Sequence, residues 1–242
     1  MENLLKIYDT KEEELSELKA LTPARICVGR AGTRLKTNTF LKFRADHAVA
    51  MDAVWSSIDE KLIDTLNFLK VQTLAKDKEE YITRPDLGRK FSEETLEYIK
   101  NNCINEPDVQ IIAGDGLSAT AINANLRKIY FVIVEKLKSK GYKVGTPIFV
   151  KYARVATMDK ISEELNAKVT IILIGERPGL ATGESMSSYM AYESSTKKPE
   201  SQRTVVSNIH DKGIPSVDAG KEIVRIIDIM MKEKKSGVEL RI

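Results

Sequence analysis

Glu176 and Arg177 are a carboxylate and a guanidinium that directly follow an apolar, β-branched run over residues 169–174. A run of this length that ends in glycine is typical of a buried strand in a parallel sheet. Ligands of open α/β sheets bind beyond the carboxyl ends of such strands. Glu176 can accept hydrogen bonds from amides or hydroxyls, and Arg177 can pair with Glu176 or with an acidic ligand group. Gly179 and Gly183 let the backbone approach a large flat ligand, so the segment predicts a ligand-binding loop.

Two further strand ends are expected beside this loop. The preceding strand ends in Tyr152-Ala153-Arg154-Val155, and the one before it ends in a loop that contains Asp115. In a right-handed parallel sheet these ends and Glu176 form one rim. The loop 114–118 resembles a phosphate-binding turn only loosely, since Asp115 repels a phosphate unless it hydrogen-bonds a sugar or an amide instead.

Groups that perform acid–base or metal chemistry are scarce. The chain has 2 histidines, which argues against a histidine-based metal site. His47 lies on a helical apolar stripe and is interpreted as a core or interface residue, and His210 is interpreted as a structural loop residue. No P-loop lysine motif and no Gly-x-Gly-x-x-Gly follows the first strand. No catalytic residue and no metal ligand is therefore predicted.

Composition excludes several classes of protein. The 242 residues are 42% hydrophobic and 30% charged, with a net charge of +3. The longest apolar runs are too short to span a bilayer, and the acidic N-terminus is unlike a signal peptide. The net charge is too small to indicate nucleic-acid binding, and the basic stretch lacks interleaved aromatic residues. Cys27 and Cys103 lack metal-ligand spacing and are expected to be free thiols of a cytoplasmic protein.

The C-terminal part alternates strands and helices. Strands are predicted over 108–113, 143–152 and 168–174, with helices over 119–138 and 159–165 between them. This order predicts a parallel sheet with right-handed crossovers. Further strands are expected near 187–192 and 203–207. A last helix over 217–234 is expected to begin after the N-cap Ser216 and to be followed by Gly237 and a short tail strand.

The N-terminal part is predicted to be mainly helical. Helices are expected over 5–20 with Thr10 as N-cap, over 39–58, over 60–70, and from the N-cap Ser92 to about residue 101. Residues 76–81 are predicted to be a charged connector. Residues 83–89 are either a structural turn or a loop that faces a ligand or partner. Between residues 18 and 45 there are seven basic residues and no acid, and the turn 29–32 is expected to present Arg30 and Arg34 either to solvent or to an anionic partner.

These patterns define the expected fold class. The chain is predicted to be an α/β protein with an open, mainly parallel, Rossmann-like sheet flanked by helices. Residues 1–104 are expected to form a mainly helical N-terminal region, and residues 105–242 the α/β domain. The boundary is placed near Pro107, where the pattern changes.

An ordered set of motifs carries a resemblance to a known family. The segments, in chain order, are Pro23-Ala24-Arg25-Ile26-Cys27-Val28-Gly29-Arg30-Ala31-Gly32, Phe43-Arg44-Ala45-Asp46-His47, Thr83-Arg84-Pro85-Asp86-Leu87-Gly88-Arg89, Asp115-Gly116-Leu117-Ser118, Val144-Gly145-Thr146-Pro147, Gly175-Glu176-Arg177-Pro178-Gly179-Leu180, Ser207-Asn208-Ile209-His210 and Ser236-Gly237. Together they resemble the small (light) subunits of ethanolamine ammonia-lyase, over nearly the whole chain from about Leu21.

The resemblance implies an adenosylcobalamin-dependent lyase that converts ethanolamine to acetaldehyde and ammonia by radical chemistry. It implies a hetero-oligomer in which a large (heavy) subunit, a TIM barrel, carries the substrate and the catalytic residues. The small subunit then closes the cobalamin site, and residues 1–104 contact the partner. By motif position, Val155, Glu176 and Val205 match the family's cobalamin contacts. The family's cobalamin supplies its own dimethylbenzimidazole as lower ligand, so the cofactor needs no protein histidine.

The resemblance also implies a place in ethanolamine utilization, inside a bacterial microcompartment of the cytoplasm. Two other functions compete with it. The first is a self-sufficient nucleotide-binding α/β enzyme that uses the loops at Asp115 and Gly175. The second is a purely structural partner that contacts no ligand.

Overall fold

The computed structural model describes residues 12–22 and 24–241. In chain order its elements are α1 (Glu12–Ala20), β1 (Arg30–Ala31), β2 (Arg34–Leu35), α2 (Thr37–Trp55), α3 (Glu60–Thr65), β3 (Leu69–Gln72), α4 (Lys78–Thr83), α5 (Glu93–Asn102), β4 (Val109–Gly114), α6 (Ala119–Ser139), β5 (Ile148–Lys151), α7 (Thr157–Leu165), β6 (Val169–Gly175), β7 (Met186–Tyr192), β8 (Thr204–Ile209) and α8 (Ser216–Glu233). Short 3₁₀ turns lie at Leu87–Arg89, Glu200–Gln202 and Gly237–Glu239.

A six-stranded sheet forms the centre of the molecule, in the order β3-β5-β4-β6-β7-β8. The first four strands in this order are mutually parallel, and β7 runs antiparallel to both of its neighbours. Every residue of β4 and of β6 is buried, as expected for apolar strands covered on both faces. The predicted α/β class with an open, mostly parallel sheet is confirmed.

Helices cover both faces of the sheet. On one face α6 packs against α8, and the predicted stripe of α6 is fully buried, at Ile122, Leu126, Ile129, Ile133 and Leu137. On the other face α5 and α7 contribute Ile99, Met158, Ile161 and Leu165 to a second apolar cluster. The sheet is therefore held from both sides, and the carboxyl ends of its central strands are left for a ligand.

One strand comes from a segment that the sequence assigned to a helix. The prediction of a helix over 60–70 is wrong beyond residue 65. Asn67 adopts a left-handed backbone with φ +54°, which ends the helix. Residues 69–72 then pair with β5 as the sheet's edge strand β3. The expected connector over 76–81 is also wrong in part, because Asp77 caps α4 by accepting a hydrogen bond from Glu80 N at 2.8 Å. The domain division at residue 104 stays a prediction, although β3 extends the sheet across it.

Two corrections concern the C-terminal end. Ser216 is the first residue of α8 rather than its N-cap, which is Pro215. The Ser216 hydroxyl donates instead to Asn125 Oδ1 of α6, at 2.8 Å. The helix ends at Lys234 in a left-handed conformation, and the tail forms the 3₁₀ turn Gly237–Glu239 in place of the expected strand.

Apart from the corrections at residues 66–81, the helices predicted for the N-terminal part are present within the described residues. The expected N-cap Thr10 and residues 5–11 lie outside them, and α1 begins at Glu12. The helix predicted over 39–58 is α2, which ends at Trp55, and Phe43 and Met51 of its apolar stripe are exposed within this chain, whereas Ala50 is buried. Gly32, with φ +63°, closes a hairpin of β1 and β2 and leaves Arg30 and Arg34 exposed.

The described part of the chain contains no helix that is both long and apolar enough to cross a bilayer. Cys27 is exposed and Cys103 is buried, and both are free thiols as predicted. Burial raises the pKa of the Cys103 thiol to about 11, although a hydrogen bond with Thr146 opposes the shift.

A buried ion pair connects the approach to β8 with α7, and its loss is expected to be costly. Arg203 Nη2 donates to Asp159 Oδ2 at 2.6 Å, with side-chain exposures of 9% and 7%. We expect Asp159→Asn to reduce the free energy of unfolding. The expected decrease is at the lower end of the range of about 3–5 kcal/mol that is typical of a broken buried ion pair. The lower end applies because Glu200 stays 3.2 Å from Arg203. Urea denaturation measures the change.

The exposed pair Lys221–Asp218 provides the matched control, with side-chain exposures of 55% and 61%. Asp218→Asn is expected to change the free energy of unfolding by less than about 1 kcal/mol. Equal effects of the two substitutions would contradict a structural role for the Asp159–Arg203 pair.

Candidate functional site

A cavity of about 380 Å³ lies at the carboxyl ends of β4, β5 and β6. Val155, Glu176 and Val205 all line it, so the structure brings together the three residues assigned by resemblance. Val155 follows β5, Glu176 follows β6, and Val205 lies on β8 with 43% of its surface exposed. The expected rim of strand ends is thus present, and β8 completes it from the far side of β7.

The floor of this cavity is backbone packed on backbone. Leu117 N donates to the carbonyl oxygen of Gly175 at 3.1 Å. A Cβ on Gly175 would overlap the carbonyl oxygen of Ser118, and a Cβ on Gly116 would overlap that of Gly175. Gly116 also has φ +58°, which favours glycine. The loops after β4 and β6 can lie this close only because both positions lack a side chain.

Glu176 is held by donors from the neighbouring strands. Its Oε2 accepts from Ser185 Oγ at 2.7 Å, and its Oε1 accepts from Ser187 Oγ and, at 3.4 Å, from Asn208 N. A carboxylate offers about four lone-pair directions, so one direction on Oε2 stays open. Sequence reasoning found the carboxylate but not its donors, because Ser185 directly precedes β7, Ser187 lies on β7 and Asn208 lies near the end of β8.

Arg154 and Tyr81 form the wall on the β5 side. Tyr81 is fully buried, and its hydroxyl donates to the carbonyl oxygen of Ala153 at 2.7 Å. The Arg154 guanidinium lies 4.3 Å from the centre of the Tyr81 ring and donates to the Tyr81 carbonyl at 3.0 Å. Burial raises the pKa of Tyr81, so the phenol stays protonated. The Arg154 Nε is buried without a partner among the described residues, and it is a donor available in this wall.

Sequence reasoning missed Tyr81 entirely. Its segment was assigned to a charged connector, and its contacts with Arg154 join positions 73 residues apart. The loop 83–89 lies behind the same wall, because Arg154 N donates to the Gly88 carbonyl at 2.8 Å.

Asp115 does not face this cavity. It is 5% exposed, and its Oδ1 accepts from Ala153 N at 3.0 Å, so it ties the loop after β4 to the end of β5. Burial raises the pKa of this carboxyl, while backbone hydrogen bonds and Lys78 oppose the shift. The Asp115 carboxylate is thus engaged by a backbone amide, that of Ala153.

The other candidate residues lie at the edges of the site. Arg177 is exposed in the cavity wall and forms no ion pair with Glu176 in the described structure. His210 contacts its own loop, at 2.7 Å from Asn208 Oδ1, as expected for a structural histidine. His47 is exposed on α2. Within residues 12–22 and 24–241, no three His, Cys, Asp or Glu side chains lie close enough to hold a metal ion.

The N-terminal region supports the loop that carries Glu176. Arg25 Nη2 donates to Asp46 Oδ2 at 2.6 Å and to the carbonyl oxygen of Leu180 at 2.7 Å. Gly183 packs closely against Ala53 of α2, where an added Cβ would approach the Ala53 Cβ to 3.0 Å. A change in the position of α2 would therefore move the loop beside the cavity.

Fold and site together define an α/β chain with a cavity at the carboxyl ends of its parallel strands, lined by a carboxylate, two guanidinium groups and apolar side chains. A model of the family described as Ethanolamine ammonia-lyase light chain (EutC) matches residues 12–241. The ethanolamine ammonia-lyase small subunit of Clostridium acetobutylicum is 98% identical over 242 residues, which is all of both chains. The small subunit of Clostridium tetani is 51% identical over 99% of this chain and 81% of its own length. The small subunit of Listeria monocytogenes is 49% identical over 93% of this chain and 77% of its own length. The chain belongs to the ethanolamine ammonia-lyase light-chain family.

The glycine floor makes a testable prediction about stability. Gly175→Ala forces a methyl group against the Ser118 carbonyl, so we expect it to lower the free energy of unfolding by about 1–3 kcal/mol. Gly179→Ala, in the same loop, is the control, because nothing lies within 4 Å of its added Cβ. Its expected change is within about 0.5 kcal/mol. Urea denaturation of both variants checks the difference, and a Gly175→Ala chain as stable as the control would refute the packed floor.

Proposed function

We propose that the chain is the small subunit of an adenosylcobalamin-dependent ethanolamine ammonia-lyase, which converts ethanolamine to acetaldehyde and ammonia. In this proposal its cavity forms one side of the cobalamin site. The large subunit carries the substrate and the catalytic residues. The observation that supports the proposal best is that Val155, Glu176 and Val205 line a single cavity at the strand ends.

The residues of the cavity fit a corrinoid. A corrin ring is surrounded by amide side chains, which need both donors and acceptors. The open lone pair of Glu176 Oε2 accepts from an amide N–H, and the unpartnered Arg154 Nε donates to an amide carbonyl. Val155 and Val205 provide apolar surface for the ring edge or for the nucleotide tail. The glycine floor lets the loops after β4 and β6 pack together, which fixes the backbone beneath the ligand.

When bound, the cofactor supplies the radical chemistry through homolysis of its cobalt–carbon bond. The residues of this chain hold and orient it. Glu176 is fixed by three donors, which suits it to accepting a hydrogen bond and not to moving a proton. Arg154 is fixed by Tyr81, so its Nε keeps one direction. This division of roles agrees with the shortage of acid–base groups in the cavity.

The α2 surface is the proposed contact with the large subunit. We use this name for the exposed apolar side chains Phe40, Leu41, Phe43, Val49 and Met51, each of which is 38–59% exposed. Phe40, Phe43 and Met51 lie at helical spacing on one face of α2, and exposed apolar surface of this kind marks protein interaction sites. Seven basic residues and no acid lie between residues 18 and 45, so the matching surface of the partner is apolar with an acidic rim. The proposal includes two further statements. Residues 1–104 are the partner-contacting region, and the chain assembles as a hetero-oligomer.

The proposal also includes ethanolamine utilization inside a bacterial microcompartment. It is supported by family membership alone. None of the proposed contacts involves a membrane or a nucleic acid.

The role of Glu176 can be tested in the assembled complex. Glu176→Ala removes one charge-assisted hydrogen bond, worth about 1.5–3 kcal/mol, so adenosylcobalamin affinity should fall roughly 10- to 150-fold. Glu184→Ala is the control, because this exposed carboxylate lies in the same loop but outside the cavity. Equilibrium dialysis of cofactor against the complex with the large subunit gives both affinities.

Two results would contradict the proposal. If Glu176→Ala unfolds normally and the complex binds the cofactor with unchanged affinity, the chain is a purely structural partner that contacts no ligand. Ethanolamine turnover by the isolated chain would overturn the assignment of catalysis to the large subunit. We expect no turnover until the large subunit and adenosylcobalamin are both added.

The α2 surface makes a separate prediction about assembly. Leu41→Glu and Val49→Glu place charge on side chains that are 57% and 59% exposed, so folding should be unaffected. If these side chains are buried in the complex, each substitution should weaken binding of the large subunit by about 2 kcal/mol or more. Val238→Glu is the control, since Val238 is 81% exposed and lies on the C-terminal 3₁₀ turn. Sedimentation velocity measures the affinities, and equal weakening by the control would refute the surface.

A further inference from the structure

A second cavity, of about 400 Å³, lies on the β3 side of the β5 end. We call it the lysine cavity and define it by Trp55, Gln72, Lys78, Phe149 and Lys151. It lies at the carboxyl ends of parallel strands, where open α/β sheets bind ligands. Its volume is within the range of small-molecule sites, about 300–1,000 Å³.

The lysine cavity is separate from the cavity that contains Glu176. No residue lines both. The wall between them is built from adjacent pairs, with Asp115 and Tyr152 on the lysine side and their neighbours Gly116 and Ala153 on the other. A ligand of one cavity therefore contacts the back of the wall that forms the other.

Two ammonium groups in this cavity have no carboxylate partner among the described residues. Lys78 Nζ lies 5.3 Å from the centre of the Tyr81 ring, and Lys151 Nζ lies 5.1 Å from that of Tyr152. The third lysine of the lining, Lys70, is paired with Asp64 at 2.6 Å. Burial lowers the pKa of Lys78, and the nearby Asp115 carboxylate opposes this shift. An anionic ligand would oppose the shift further.

The two acids of the lining offset its three lysines only in part. Glu60 and Asp115 are the two acidic residues of the lining. The Asp115 carboxylate accepts a backbone hydrogen bond from Ala153 N, and burial favours its neutral form. The cavity thus carries an excess of positive charge beside Lys78 and Lys151.

The same cavity offers flat apolar surface and an amide. Trp55, at the end of α2, is 54% exposed, and Phe149 is 5% exposed. Bases of nucleotides stack on aromatic rings of this kind. The Gln72 amide nitrogen donates to the Ala75 carbonyl at 2.9 Å, which leaves its oxygen free to accept from an exocyclic amine.

We propose that the lysine cavity binds a nucleoside phosphate, with the phosphate between Lys78 and Lys151 and the base against Trp55. Two ammonium groups supply the charge that a phosphate requires, and the indole distinguishes a nucleotide from a simple anion. The proposal concerns a site separate from the proposed cofactor cavity and does not depend on cobalamin binding.

The single tryptophan of the chain provides a direct measurement, because its fluorescence reports only on Trp55. ADP is titrated into the full chain, and calorimetry follows the same titration. We expect saturable quenching and a matching heat of binding. The double substitution Lys78→Gln/Lys151→Gln should weaken ADP binding at least about tenfold.

Two further variants keep this test decisive. Lys151→Gln alone changes an exposed side chain, so it should weaken binding of ADP without affecting folding. Lys138→Gln, an exposed lysine of α6 outside the cavity, should leave binding unchanged. Absence of binding by either method, or ADP affinity that is equal in all variants, would overturn the proposal.

Two competitors identify the ligand chemistry. Pyrophosphate carries the charge without the base and should bind more weakly than ADP, and equal binding would refute the role of Trp55. Cyanocobalamin carries its own ribonucleotide phosphate and should not displace ADP. If cyanocobalamin displaces ADP, the proposal of a free nucleotide as the ligand is wrong. The cavity is then assigned to the tail of a corrinoid. If ADP does not bind but the double variant weakens assembly with the large subunit, the cavity is a subunit contact and the proposal is wrong.

Discussion

The close contact between the loops after β4 and β6 is the constraint on which the site depends. Leu117 donates to the Gly175 carbonyl, and Gly116 and Gly175 lie where any Cβ would overlap backbone. This contact sets the height of the cavity floor and fixes the backbone from which Glu176 extends. The antiparallel strand β7 then brings Ser185 and Ser187 to the carboxylate, so a site at the ends of parallel strands is completed by donors from a strand running the opposite way.

Tyr81 and Asp115 form a shared support behind this floor. Both side chains bond Ala153. The Tyr81 hydroxyl donates to the carbonyl oxygen of Ala153, and the Asp115 carboxylate accepts from the N–H of Ala153. The short segment 152–155 is therefore fixed from both sides although it is not a strand. Tyr152 has φ +59°, a strained conformation for a non-glycine residue, and these contacts hold it there.

Local and periodic features were predictable from the sequence, whereas contacts between distant segments were not. The apolar residues of α6 recur at helical spacing, and β6 is a continuous apolar run, so the local sequence indicates both elements. Both form within a residue or two of the predicted bounds. Strand β3 was missed because four residues with mixed polarity become a strand only by pairing with β5, almost 80 positions later. Ser216 was assigned as a cap because its bond to Asn125 is invisible in the local sequence. Glu176 was found from the strand pattern and Val155 and Val205 through family resemblance, but Tyr81 and the serines that hold Glu176 have no motif.

The exposed apolar side of α2 has a consequence for how such a chain is made in a cell. If the α2 surface is the contact with the large subunit, as proposed, Leu41 and Val49 stay in water until that subunit binds, and exposed apolar surface promotes aggregation in the meantime. Surplus copies would be lost or would aggregate, while a shortage would leave the partner incomplete. On that proposal, matched synthesis of the two subunits would shorten the time for which this surface is exposed.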